Sequence, residues 1–297
     1  MRRRLLFAIA ILVISAWLLL LELVGDDLGR LGNGFDNLLV FFEESLWPPD
    51  WSVLEARSYP KCEEGVELFC SVAWIGMVET IKIAFIATAF GFVGALLLSA
   101  FAAKNLMPLW LNIPARIILA AMRSLPSIIW AILFVIVIGF GPLSGVLAMT
   151  FYTVGYLGKL QYEAIEGMDN SPLEAGRAMG LRSDEIMIGI VIPETSNHLL
   201  SQLLFMFEYN IRHGTVIGIV GAGGIGYYIN MYLKFLQYDK VIALLLIIFL
   251  VVVLIDLLSM AARSFVTEDG DVKRPSWFTV LRSPTKAASH HHLDESE

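Results

Sequence analysis

Residues 241–258 read VIALLLIIFLVVVLIDLL, a run interrupted by a single charge, Asp256. At about 1.5 Å of rise per residue, such a run reaches across the roughly 30 Å hydrocarbon core of a bilayer. The surrounding stretch, Val241–Ala262, therefore predicts a transmembrane helix. Five more stretches meet the same length criterion: Leu5–Val24, a segment within Met77–Ala102, Ile117–Ile138, Leu143–Leu160 and a segment within Leu199–Val220. The last is the least apolar, because Glu208, Arg212 and His213 interrupt it. Hydrophobic residues make up 57% of the chain, where soluble domains hold about 45–50%. The expected class is an all-α membrane protein of about six spans. A net charge of −7 gives no basic face for nucleic acid.

The first span follows Arg2, Arg3 and Arg4, as a cleavable signal would. Its apolar stretch is longer than the usual signal core and no A-x-A site follows, so a retained anchor over residues 1–24 is expected. With those arginines inside, threading six spans puts Lys104, Arg116, Lys159, Arg177, Arg182, Arg263, Lys273, Arg274, Arg282 and Lys286 on the cytoplasmic side. Only Arg30, Arg57, Lys61, Lys234 and Lys240 fall outside, so the positive-inside rule predicts both termini in the cytoplasm. Residues 25–72 become an acidic extracytoplasmic loop, residues 73–262 the core, and residues 263–297 a polar tail without structure. The outer loop holds the only cysteines, Cys62 and Cys70. An oxidising compartment allows a disulfide between them, and two separate thiols remain the alternative.

Residues 163–197 are too polar to cross a bilayer and fall on the cytoplasmic side. Ser171-Pro172-Leu173-Glu174 has the form of a helix start: Ser171 as cap, Pro172 in the first position, Glu174 where a capping box places a carboxylate. Gly180 is placed to end that helix. Ser183-Asp184-Glu185 starts a second, and Pro193 is expected to limit it. A capped helix, a glycine joint and a second helix make a knob suited to a groove on a soluble partner.

Glu174-Ala175-Gly176, Gly180 and Ile190-Val191-Ile192-Pro193 together resemble the EAA loop of ATP-binding-cassette importer permeases, with Gly176 for the second alanine and Ile192 for leucine. Met122-Arg123-Ser124-Leu125-Pro126, the 139–148 junction, Asn210-Ile211-Arg212 and the 215–226 segment are similar to the phosphonate-importer branch, which also serves phosphite and related oxyanions. The resemblance covers roughly residues 75–262. It implies a methionine-importer-like, type I architecture in the bacterial inner membrane. The implied partners are a second permease copy, two ATP-binding subunits that hold ATP and Mg2+, and an extracytoplasmic substrate-binding protein. Coupling would fall to Ser171, Pro172, Glu174, Ala175, Gly176, Gly180, Ile190 and Pro193. A permease for another small solute and a secondary transporter are the competing expectations.

No G-x-x-x-x-G-K-[ST] occurs, so no P-loop and no cofactor are expected in this chain. Gly221, Gly223, Gly224 and Gly226 satisfy G-x-G-x-x-G, but a membrane span precedes them where a dinucleotide site needs a strand. A flexible or tightly packed outer turn, acting as a gate, is the expectation. Charges within spans are functional candidates. Glu79 with Lys82 and Glu208 with Arg212 have the spacing of helix ion pairs. Arg123 has no acid within a turn; beside Ser124 and Ser127 it suits an oxyanion pathway, or else snorkels to the surface. Arg212 and Thr215 complete the candidate pathway set. No metal site is expected, since His290-His291-His292 lies in the tail.

Overall fold

The structure, a computed structural model, describes residues 2–25, 28–56 and 67–266. It is helical almost throughout. Helix α1 (Arg2–Val24) is fully exposed along its described side chains and is followed by α2 (Leu28–Phe41). The core begins with α3 (Val72–Ala102) and continues through α4 (Leu109–Ser124), α5 (Ser127–Ile138) and α6 (Pro142–Gly167). Short helices α7 (Asn170–Ala178) and α8 (Ser183–Ile186) lead into α9 (Ile192–Ile217), α10 (Ile225–Lys234) and α11 (Tyr238–Val266).

Helix α6 lies at the centre and packs on α3, α4, α5 and α9. Its contact with α3 is the most extensive in the molecule. Glycines make these approaches possible: a Cβ at Gly94 of α3 would stand 3.0 Å from Val154 of α6, and one at Gly155 of α6 would stand 2.8 Å from the Arg123 backbone nitrogen of α4. A polar hub locks the three central helices. Asn210 of α9 donates to Thr88 of α3 at 2.9 Å and to Thr153 of α6 at 3.0 Å, all three buried. With no competing water in a membrane, such bonds hold helices in register.

Among the described residues, three helices are long and apolar enough to cross a membrane, or up to five spans if each bent pair counts as one. The expected single span Ile117–Ile138 is not one helix. It breaks at Leu125-Pro126 with a bend of 87° between α4 and α5. Pro126 lacks the amide needed to continue α4 and restricts Leu125 to extended backbone. Trp130 then fixes the bend, donating from Nε1 to the Met122 carbonyl at 3.0 Å. The fourth expected span is part of the longer α6, which reaches Gly167.

The acidic segment 25–72 is not a plain loop. Besides α2 it contains a short 3-10 turn, Trp51–Leu54, capped by Asp50, whose carboxylate accepts from the Ser52 amide at 2.9 Å. The Asp50 amide donates to the Asp239 carbonyl, and Val53 is buried against Met77, Ile229 and Val241. The segment is thus docked on α3 and α11. Cys70 is buried and disulfide-bonded, while Cys62 lies outside the described residues. The tail from 267, with His290–His292, also lies outside them; α11 itself continues past the expected boundary at 262 to Val266.

Candidate functional site

The bend between α4 and α5 opens a cavity of about 410 Å³ lined by Arg123, Ser124, Pro126, Ser127, Ile128, Tyr152, Tyr209, His213 and Val216. Three of the five sequence-derived pathway residues, Arg123, Ser124 and Ser127, come together here. Arg123 ends α4, and Ser127 begins α5. Gly155 of α6 has no side chain to hold the last turn of α4 away, so it sets Arg123 close to α6. Among the described residues no acid pairs with Arg123. The first amides of α5 have no intrahelical partner, and its positive dipole end lines the same cavity as Arg123. Two independent sources of positive potential therefore meet at one cavity wall.

Arg212 and Thr215 are not among the lining residues. Arg212 reaches Asp256 of α11 at 2.8 Å and Glu208 at 3.8 Å, so it serves an ion-pair cluster between α9 and α11. That contact also gives Asp256 its partner. Thr215 turns its hydroxyl back to the Arg212 carbonyl at 2.6 Å. Among the described ion pairs none joins Glu79 to Lys82.

The opposite wall is aromatic, and sequence spacing did not single it out. Tyr209 stacks on Tyr152 at 5.7 Å and on His213 at 3.7 Å, and donates its hydroxyl to that of Tyr152 at 3.0 Å. The i,i+4 spacing of Tyr209 and His213 on α9, facing Tyr152 and Tyr156 on α6, was the available signal. Among the described residues no group of three or more His, Cys, Asp or Glu side chains is placed to hold a metal.

The turn at the far end of α9 is tightly packed. Gly221, Gly223 and Gly224 have φ of +91°, +84° and +74°, which side chains resist. Gly224 would place a Cβ 2.5 Å from Thr80 Oγ1, which accepts from the Ile225 amide at 2.9 Å. Gly226 lies against the Thr215 carbonyl, with no room for a side chain.

The knob expected for residues 163–197 forms at the other end of α9. Its cap is Asp169, two residues earlier than expected at Ser171: the carboxylate accepts from the Ser171 amide and hydroxyl, both at 3.0 Å. These bonds, the amide's first, hold the Asp169 carboxyl below its ordinary range. Pro172 and Glu174 accordingly fall inside the first turns of α7. Gly180 takes φ +79° and ends the helix as expected, with the Leu181 amide bonding to the Gly176 carbonyl at 3.1 Å. Pro193 does not limit the next helix. A π-helical turn, Met187–Val191, carries the chain from α8 straight into α9, with Pro193 in its first turn. Gly176 fits beneath Ile190, where a Cβ would meet the Ile190 Cδ1 at 2.6 Å. Leu173 is buried, while Glu174, Ala175, Arg177 and Met179 are exposed on the outer face.

Residues 95–265 match the family described as the binding-protein-dependent transport system inner membrane component. The chain is 34% identical over 280 residues to the putative phosphite transport system permease protein HtxC of Stutzerimonas stutzeri, spanning 94% of this chain and 92% of that protein. It is 35% identical over 238 residues to the phosphite transport system permease protein PtxC of the same organism, spanning 80% of each. Among solved structures, a chain of the inward-facing methionine ABC transporter MetNI shares the fold with a TM-score of 0.58 and 24% identity, over 66% of this chain and 97% of that one. A chain of a bacterial alginate ABC transporter gives 0.57 at 17% identity, over 84% and 99%. In this family the permease crosses the inner membrane several times, and nucleotide is bound and hydrolysed by a separate ATPase subunit. The helical bundle, its knob and its family match lead to one conclusion: the chain belongs to the binding-protein-dependent transport system inner membrane components, as the permease subunit of an ABC importer.

Proposed function

We propose that this permease carries a phosphorus oxyanion (phosphite, phosphonate or phosphate) past the wall formed by Arg123, Ser124 and Ser127. The observation that carries the reading is a guanidinium with no acid partner among the described residues, at a helix break whose cavity is also lined by the amide end of α5. Half-helix amide ends at membrane depth suit anionic cargo, and a guanidinium donates two parallel bonds to an oxyanion. The phosphite-permease relatives support the same cargo. An aromatic wall would also suit a cation, but Arg123 opposes one.

Alternating access follows from ATP-driven closure of the partner subunits drawing the two ends of the bundle apart and together. Two copies of this chain flank the pathway, each offering its cavity, and the substrate-binding protein docks at the end bearing Gly221–Gly226 and α10. The 163–197 segment docks in the ATPase, with Glu174, Ala175 and Gly180 on the exposed face. Lys104, Arg116, Lys159, Arg177 and Arg182 lie at that end of the bundle, which supports placing it and both termini in the cytoplasm. Residues 1–24 anchor the chain, 25–72 face outward with Cys62 bridged to Cys70, and 73–262 form the permease core.

The test is uptake of radiolabelled phosphite by membrane vesicles holding the complete complex. Arg123→Ala at normal membrane levels should lower uptake by about 2 kcal/mol of lost anion stabilisation, near thirtyfold. Unchanged uptake would sink the cargo pathway.

A further inference from the structure

The end of α3, α4, α6 and the knob are joined by a cluster of charged and polar groups that the cargo cavity does not use. The Glu166 carboxylate at the end of α6 accepts from the Lys104 backbone amide at 2.6 Å and from the Arg116 guanidinium of α4. Arg116 also donates from Nε to the Ala102 carbonyl, the last residue of α3, at 2.9 Å, and lies 4.4 Å over the ring of Tyr162. Asn105 donates to the Ile165 carbonyl at 2.8 Å, and its own carbonyl accepts from Arg177 on α7. Beneath this cluster Leu173 of α7, Ala115 and Leu119 of α4 and Ile165 of α6 share one buried core.

Arg116 and Arg123 are seven residues apart on α4. That is about two helical turns, or about 10 Å, and leaves both on nearly the same face. Pro114 lies before this stretch, so the segment between the two arginines is uninterrupted helix. The contacts thus run from α7 through Arg177 and Asn105 to the end of α6, and from Glu166 through Arg116 along α4 to Arg123 at the cavity.

We propose that Glu166 and Arg116 are positioning residues for transport: they clasp the end of α6, which leads into the knob, to α4 and convert movement of the knob into movement of Arg123. The inference rests on the coupling role proposed for the 163–197 segment, though not on the identity of the cargo. Two charges with defined partners suit such a role better than apolar packing alone. Losing one partner of a partly buried pair leaves the other uncompensated, so a change at either residue is felt by both helices.

The experiment uses the complete importer reconstituted in liposomes, with ATP hydrolysis and phosphite uptake measured on the same preparation. For Glu166→Gln, hydrolysis should continue while uptake per ATP falls about tenfold, roughly the effect of one lost charge-assisted bond. Arg116→Lys, which keeps the charge and loses the Nε contact, should fall by less. The exchanged pair Arg116→Glu with Glu166→Arg should not recover, because an arginine at 166 cannot accept from the Lys104 amide. The clasp is overturned if Glu166→Gln lowers hydrolysis, uptake and melting temperature in parallel, as a purely structural pair would, or if uptake per ATP is unchanged. It is also overturned if the exchanged pair recovers fully. A Gly180→Val complex, run alongside, separates the two readings. If it too leaves uptake per ATP unchanged, the coupling role of the knob fails; if it alone uncouples, only the clasp does.

Discussion

Arg123 was legible as an isolated charge, because the sequence holds no acid within a helical turn of it. Its surroundings were not. The aromatic wall comes from α6 and α9, so only tertiary packing brings Tyr152 and Tyr209 opposite it. Arg212 shows the converse. Its i,i+4 spacing to Glu208 was visible, but the nearer partner is Asp256, 44 residues on, which no local rule reaches. For Arg123→Lys the charge remains and the two-pronged donor is lost, so uptake should fall between wild type and Arg123→Ala. Kinetics of uptake against external phosphite concentration read this directly. At Asp50 the Ser52 amide, followed by the Ser52 hydroxyl and the Lys240 charge, outweighs burial and holds the carboxyl below its ordinary 3.8. A lowered folded-state pKa means a contribution present above the unfolded value and lost as pH falls through the folded one. Hydrogen exchange in residues 50–56 should therefore quicken, beyond its intrinsic pH dependence, only as pH drops below about 4. Asp50→Asn should show the quicker exchange at neutral pH and no further pH step.

At the scale of elements, start and stop signals were read well where they depend on neighbours in sequence and poorly where an alternative donor or acceptor was close by. Gly180 ended α7 as expected, but Asp169 displaced Ser171 as the cap, since both are good caps two residues apart. Pro126 broke a helix that hydrophobicity alone had joined, whereas Pro193 broke none, because a π-helical turn immediately before it absorbs the missing bond. A side chain at Gly180 meets open space, yet its φ of +79° makes any Cβ costly. Gly180→Val should destabilise the joint by about 1–2 kcal/mol and leave ATP hydrolysis running with little uptake. Gly155→Ala acts at the other end of the coupling path. Its methyl would press on the Arg123 backbone, so uptake should fall while the exposed Met179 surface, proposed to meet the ATPase, stays unchanged. Co-purification of the ATPase with that variant checks the second half.

For the whole molecule, the apolar spans and the knob were recoverable because each is a local pattern: a hydrophobic run, or a cap followed by glycine. The order of helices around α6 was not, because it depends on which small residues face each other. Asn210 is the clearest instance. It looks like a polar interruption of a weak span, and it is the buried joint between α3, α6 and α9. Asn210→Leu should lower the melting temperature of the detergent-solubilised complex, with a cost near 1 kcal/mol for the lost interhelical bonds.

The central place of α6 also bears on how the chain is made. Helices α1, α3 and α11 are apolar enough to enter a bilayer unaided, but α6, rich in Gly, Ser, Thr and Tyr, is not among them. Left alone in lipid it would expose Thr153 and its glycine-lined backbone groove. It is synthesised after α3, whose Gly91 and Gly94 already offer the matching surface. Ribosomal order thus supplies a template before the helix that needs it emerges. A chain stalled after α3 would hold a complete span, and one beginning at α6 would lack the α3 surface on which α6 packs most extensively.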